Sequence, residues 1–120
     1  MPDPTALASV VVDRIATDVV VLHVSGELDT TSTAELTSPI NTHVVEANRA
    51  VVIDLSGVRF LGSAGLEALV VGQQRAASAG VEFILVADTR APLRPIEATG
   101  LDSVFTIVPS VELAVERYSG

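Results

Sequence analysis

The 120-residue chain has no cysteine, no lysine and no tryptophan, and its aromatic residues are three phenylalanines and one tyrosine. Without cysteine there is no disulfide framework, no thiolate metal site and no cysteine nucleophile. So few aromatics leave no platform on which nucleic-acid bases could stack. The longest apolar run, Phe83-Ile84-Leu85-Val86-Ala87, stops at Asp88, far short of the roughly 18 residues a membrane span needs. Positive charge is scarce as well. Seven arginines face fifteen acidic residues, for a net charge of −8, and such a chain repels phosphate backbones and anionic membranes. The start, Met1-Pro2-Asp3-Pro4, lacks the basic segment and apolar stretch of a secretory signal. A cytoplasmic protein that binds neither nucleic acid nor membrane is expected.

The usual signatures of catalysis are missing too. There is no phosphate-binding GxxxxGK[ST] loop, no GxGxxG and no GxSxG; Leu61-Gly62-Ser63-Ala64-Gly65 has leucine where the last would need glycine. His23 and His43 have no second histidine at ligand spacing. The carboxylates are scattered along the sequence rather than paired. No enzyme, no cofactor, no metal and no small-molecule substrate is expected.

What is present is apolar patterning. Hydrophobic residues make up 48% of the chain, enough for a core, and the length suits one domain over 1–120 with an ordered core of about 7–118. Residues 7–15 and 19–24 read as strands joined by a short turn, the second ending at Ser25-Gly26. Thr30 or Thr31 is expected to cap a helix with Leu36, Ile40, Val44 and Ala47 on one face, kinked or restarted at Ser38-Pro39. Residues 50–55 read as a strand buried on both faces. A helix over about 64–78 follows, with Leu66, Leu69, Val70, Gln73 and Ala77 inward and Gly80 as its stop. Residues 81–87 form a strand, 91–99 a short helix limited by Pro95, 104–108 a last strand, and Pro109 opens a terminal helix to about Tyr118. The order ββαβαβαβα specifies an α/β fold, a mixed sheet with an N-terminal hairpin and α/β crossovers.

One junction stands out. From Val52 to Leu66 a buried strand runs into a glycine-bounded loop that opens a helix. Ser63 sits where an N-cap belongs. The unpaired N–H groups and dipole at a helix start favour negative charge, and Gly62 and Gly65 permit close approach. Asp54 reads as a polar group at a strand end that hydrogen-bonds the loop. Read alone, Ser63 is a cap and Gly26-Glu27-Leu28-Asp29 is a turn leading into a helix.

Taken together, these segments resemble the STAS-domain family, and within it the bacterial anti-sigma factor antagonists, over about Leu7 to Tyr118. The pieces follow the family's order: Gly26-Glu27-Leu28-Asp29, then Asp54 to Leu66, then Thr99-Gly100-Leu101-Asp102-Ser103-Val104-Phe105. The resemblance implies an antagonist that binds an anti-sigma factor, itself a serine kinase, and so releases a sigma factor. It implies phosphorylation at Ser63, reversal by a PP2C-type phosphatase, and a partner surface of Gly26, Glu27, Leu28, Asp29, Gly62, Ser63, Ala64, Gly65 and Leu66. Relatives commonly carry aspartate before the acceptor serine and serine or threonine after it; here Gly62 and Ala64 stand there. The alternative is a constitutive STAS interaction module of a transporter or signalling assembly, with Ser63 serving only as a cap.

Overall fold

The computed structural model describes residues 8–118; Met1-Pro2-Asp3-Pro4 and Leu7, the expected first strand residue, lie outside that range. Five strands form one sheet in chain order: β1 (Ala8–Ala16), β2 (Val19–Leu28), β3 (Ala50–Leu61), β4 (Glu82–Val86) and β5 (Thr106–Val108). β1 and β2 pair antiparallel, and the remaining neighbours pair parallel. The helices are α1 (Ala34–His43), α2 (Ser63–Ala79), α3 (Arg90–Ala98) and α4 (Val111–Glu116). The ββαβαβαβα order is the expected one.

Parallel strands laid down in sequence order need crossovers of one hand, which puts their helices on one face. Accordingly Leu36 and Ile40 of α1, Leu66, Leu69 and Ala76 of α2, and Ile96 of α3 share a core with Val20, Leu22, Val51, Ile53 and Leu85. The alternate strand residues, Val21, Val52, Ile84 and Val86, meet Ala114 of α4 on the opposite face. Residues 50–55 are therefore buried on both faces, which explains their unbroken apolar run.

Several boundaries differ from expectation. β2 does not end at Ser25-Gly26 but continues to Leu28, because Gly26 adopts φ 98°, a conformation open to glycine, and lets pairing with β3 resume. β3 likewise continues through the supposed loop to Leu61. The first helix starts after Thr33 rather than Thr30 or Thr31, with no side-chain capping bond, and runs through Pro39 without restarting. An interior proline costs about 3 kcal/mol, whereas burying Leu36 and Ile40 returns about 1.5–3 kcal/mol each. Ala47 lies beyond this helix and is exposed, and in α2 Ala76, not Ala77, is buried. Val104 and Phe105 follow a 3-10 turn at Leu101–Ser103 and stand outside the last strand.

Candidate functional site

β3 has two more residues than β2 over the stretch where they pair. The register steps from His23↔Asp54 to Ser25↔Gly57, and from Gly26↔Val58 to Glu27↔Phe60. Each step inserts one extra β3 residue, a β-bulge that bends the strand and re-aims its side chains. A regular strand would alternate, but after Leu55 the order becomes two exposed residues and one buried, repeated: Ser56 and Gly57 out, Val58 in, Arg59 and Phe60 out, Leu61 in.

Despite the bulges, β2 and β3 finish side by side with Leu28 opposite Leu61. The Gly62 N–H donates to the Leu28 carbonyl at 2.9 Å, tying the start of α2 to the end of β2. A Cβ on Gly65 would lie 2.7 Å from Leu61 Cδ1 and 3.0 Å from Leu28 Cβ, so the first turn of α2 rests directly on both strand ends. The two expected segments thus come together. They do not contribute equally to the surface. Gly26, Leu28, Gly65 and Leu66 are buried and support it from beneath; Glu27, Asp29, Gly62 and Ala64 are half-buried; Ser63 is exposed.

Ser63 is not the cap. Gly62 takes that place with an extended backbone (φ −86°, ψ 179°), and no side chain caps the helix. The chain leaves β3 extended and bound to Leu28 through Gly62, and helical geometry begins at Ser63, one residue before the expected start. Its hydroxyl makes no capping bond, and the first-turn N–H groups lack intrahelical acceptors.

Across the junction, Asp29 organises the turn after β2. Its Oδ1 accepts from the Thr31 N–H at 2.8 Å, the Thr31 hydroxyl at 2.7 Å and the Ser32 hydroxyl at 3.2 Å. The buried Ser32 hydroxyl shares its single proton between this carboxylate and the nearer Glu27 carbonyl at 2.6 Å, and Thr33 donates to the Asp29 carbonyl. These bonds, led by those from Thr31, hold the Asp29 carboxyl below its ordinary pKa. The side chain is therefore turned into its own loop. Beside it, Glu27 pairs with Arg59 at 3.0 Å. A groove of about 360 Å³ runs between α1 and α2, lined by Thr30, Thr33, Asn41, Ala64 and Glu67 among others.

Sequence separation concealed one cluster. His23 Nδ1 donates to Asp54 Oδ2 at 2.7 Å, and Nε2 lies 3.6 Å from Asp13 Oδ2. Asp54 Oδ1 also accepts from the Ser56 N–H at 3.0 Å. Asp54 thus bonds the following segment as expected, yet within a continuing strand. Burial pushes the Asp54 carboxyl up, but the bonds from Ser56 and then His23 outweigh it, and the net shift is downward. The pair spans β2 and β3 immediately before the first bulge. The period-2 pattern places His23 and Asp54 on one face; only their register could have shown that they meet. Among the described residues, no group of acidic and histidine side chains is arranged to hold a metal ion.

The STAS domain family matches residues 10–114. The chain belongs to that family. It is 34% identical over 120 residues to the anti-sigma-F factor antagonist RsfB of Mycobacterium tuberculosis, covering all of this chain and 96% of the relative. An anti-sigma factor antagonist from Mycobacterium paratuberculosis, solved by crystallography, superposes with a TM-score of 0.84 at 34% identity, over 98% of this chain and 97% of that one. The Bacillus antagonist SpoIIAA in its unphosphorylated form superposes with a TM-score of 0.77, over 92% of this chain and 96% of that one; at 17% identity it shares the fold. These relatives are regulatory binding proteins, not enzymes. For this STAS chain, among the described residues, no helix is long and apolar enough to cross a membrane.

Proposed function

We propose that this STAS protein is an anti-sigma factor antagonist. Its partner is an anti-sigma factor that is also a serine kinase, bound through the surface around Ser63, and its place of action is the cytoplasm. Ser63 carries the reading: it is exposed at the first position of α2, on a platform built by the Gly26–Asp29 and Gly62–Leu66 segments. The likeness to RsfB, named for antagonising an anti-sigma factor, supports the same role here.

Phosphorylation acts as the switch. The Ser63 hydroxyl oxygen attacks the terminal phosphorus of ATP held by the kinase; the bond to ADP breaks and the hydroxyl proton passes to the kinase. A phosphoserine adds roughly −1.5 to −2 charges. The start of a helix tolerates that charge, so the fold stays intact while a partner packed against Ser63 is displaced. A PP2C-type phosphatase restores the serine. The chain itself needs no cofactor.

The test is incubation with the kinase-type anti-sigma factors of the same organism, ATP and magnesium, followed by mass spectrometry. A gain of one phosphoryl group on Ser63, absent in Ser63→Ala, with release of the modified protein from the partner, supports the reading. Stable binding without modification instead identifies a constitutive interaction module, a result that Gly62 and Ala64 beside the acceptor would favour.

A further inference from the structure

Phe60 is the one strongly exposed aromatic residue of the described chain: 51% of it is open to solvent, while Phe83 and Phe105 are buried and Tyr118 is half-buried. Single exposed apolar residues are ordinary, but two features of the backbone set Phe60 apart. The second bulge of β3 inserts a residue between Val58 and Phe60. Without it the strict alternation from Val58 would carry residue 60 back to the core face; with it, the ring is turned outward. The ring also has a seat. A Cβ built on Gly62 would lie 3.0 Å from Phe60 Cε2 and 3.3 Å from Cζ, so the ring lies against the bare Cα of the residue that precedes Ser63.

We infer that Phe60 is the aromatic anchor of the surface around Ser63, a ring presented by the β3 bulge and seated on Gly62 to fill an apolar pocket in the partner. This rests on the antagonist reading above and identifies what the partner must offer. Aromatic side chains dominate binding energy where they enter desolvated pockets surrounded by polar groups. The polar surround is present: Glu27, the β2 residue opposite Phe60, pairs with Arg59, the residue before it. Because the chain carries a net charge of −8, the matching pocket has a basic rim. The ring is three residues from the phosphate acceptor, so a phosphoryl group on Ser63 places about two negative charges at the edge of an interface that must stay dry around the ring.

The test is a titration of the intact protein with each purified kinase-type anti-sigma factor of its own organism, with melting temperature measured on the same samples. Phe60→Ala is expected to bind ten-fold to several-hundred-fold more weakly at a nearly unchanged melting temperature, and Phe60→Leu to fall between it and the native protein. Gly62→Ala, which crowds the ring off its seat, should weaken binding several-fold although the phenylalanine itself is retained. Val11→Ser, on an exposed position of β1, should bind as the native chain does. If the native protein binds and Phe60→Ala and Phe60→Leu bind within three-fold of it, the anchor is overturned while the antagonist reading stands. If the native protein binds none of these factors, the antagonist reading falls and takes the anchor with it.

Discussion

Because the Ser63 side chain caps nothing, its contributions to stability and to recognition separate cleanly. Ser63→Ala is expected to change stability by no more than about 0.5 kcal/mol, as for a surface position without special contacts, and to retain partner binding. Ser63→Glu places a carboxylate in the first turn of α2, where the helix dipole favours it by about 0.3–1 kcal/mol, so it should fold at least as well. Its charge and length project from the surface, and a loss of about 1.4 kcal/mol there is already ten-fold in affinity. Calorimetric titration beside thermal melting reads both quantities; equal affinities for the two variants would remove Ser63 from the interface. Asp29 behaves differently, since it is half-buried and its carboxylate is bonded to Thr31 and Ser32 of its own loop. A substitution there loosens the turn as well as altering the surface, so weakened binding by an Asp29 variant would not by itself locate a contact.

Asp54 gives a pH signature at the same scale. Its folded-state pKa lies below the ordinary carboxylate value. The unfolded chain therefore binds the proton more readily, and the stabilisation is present above the unfolded pKa and lost as pH falls through the folded one. Urea unfolding from about pH 5 downward should show the native protein losing stability more steeply than Asp54→Asn, in which position 54 no longer titrates. Parallel curves would mean that the His23 and Ser56 bonds to this carboxylate do not favour its ionised form.

At the scale of elements, the strand–helix order was legible because each parallel strand is an apolar run and α1, α2 and α3 keep buried residues at helical spacing. The bulges were not. A single inserted residue leaves no trace in composition, and Ser56-Gly57 reads as a turn until the partner strand is seen to continue beside it. Likewise Pro39 reads as a break, because the burial of Leu36 and Ile40 that outweighs it belongs to packing and not to propensity. At the candidate site, the segments and the exposed serine were readable, whereas the true cap, the inward-turned Asp29 carboxylate and the His23–Asp54 bridge depend on register. The close seating of α2 on β2 and β3 gives a prediction for elements. Gly65→Val forces side-chain atoms into Leu61 and Leu28, and such over-packing costs about 1–3 kcal/mol. The loss should appear in urea unfolding together with weaker binding, because the same contact positions Ser63. Native stability in this variant would show that the first turn of α2 is not held by that contact.

Charge acts on the molecule as a whole. With fifteen acidic residues against seven arginines, the chain carries a net negative field, and Arg59, beside Phe60 in β3, is already paired with Glu27. Such a field accelerates encounter with a basic partner surface and is screened by salt, the screening length falling from about 30 Å at 0.01 M to about 3 Å at 1 M. The contacts we propose for the complex, the Phe60 ring and the first turn of α2, are short-ranged. Salt should therefore act on association and leave dissociation nearly level. In stopped-flow mixing with the anti-sigma factor, raising salt from about 0.05 M to 0.5 M is expected to slow association by roughly ten-fold or more, while the dissociation rate changes by less than about two-fold. Phe60→Ala should show the complementary pattern, with faster dissociation and an unchanged salt dependence of association. An association rate indifferent to salt would mean that the partner presents no basic surface to this chain, and that its acidity serves solubility alone.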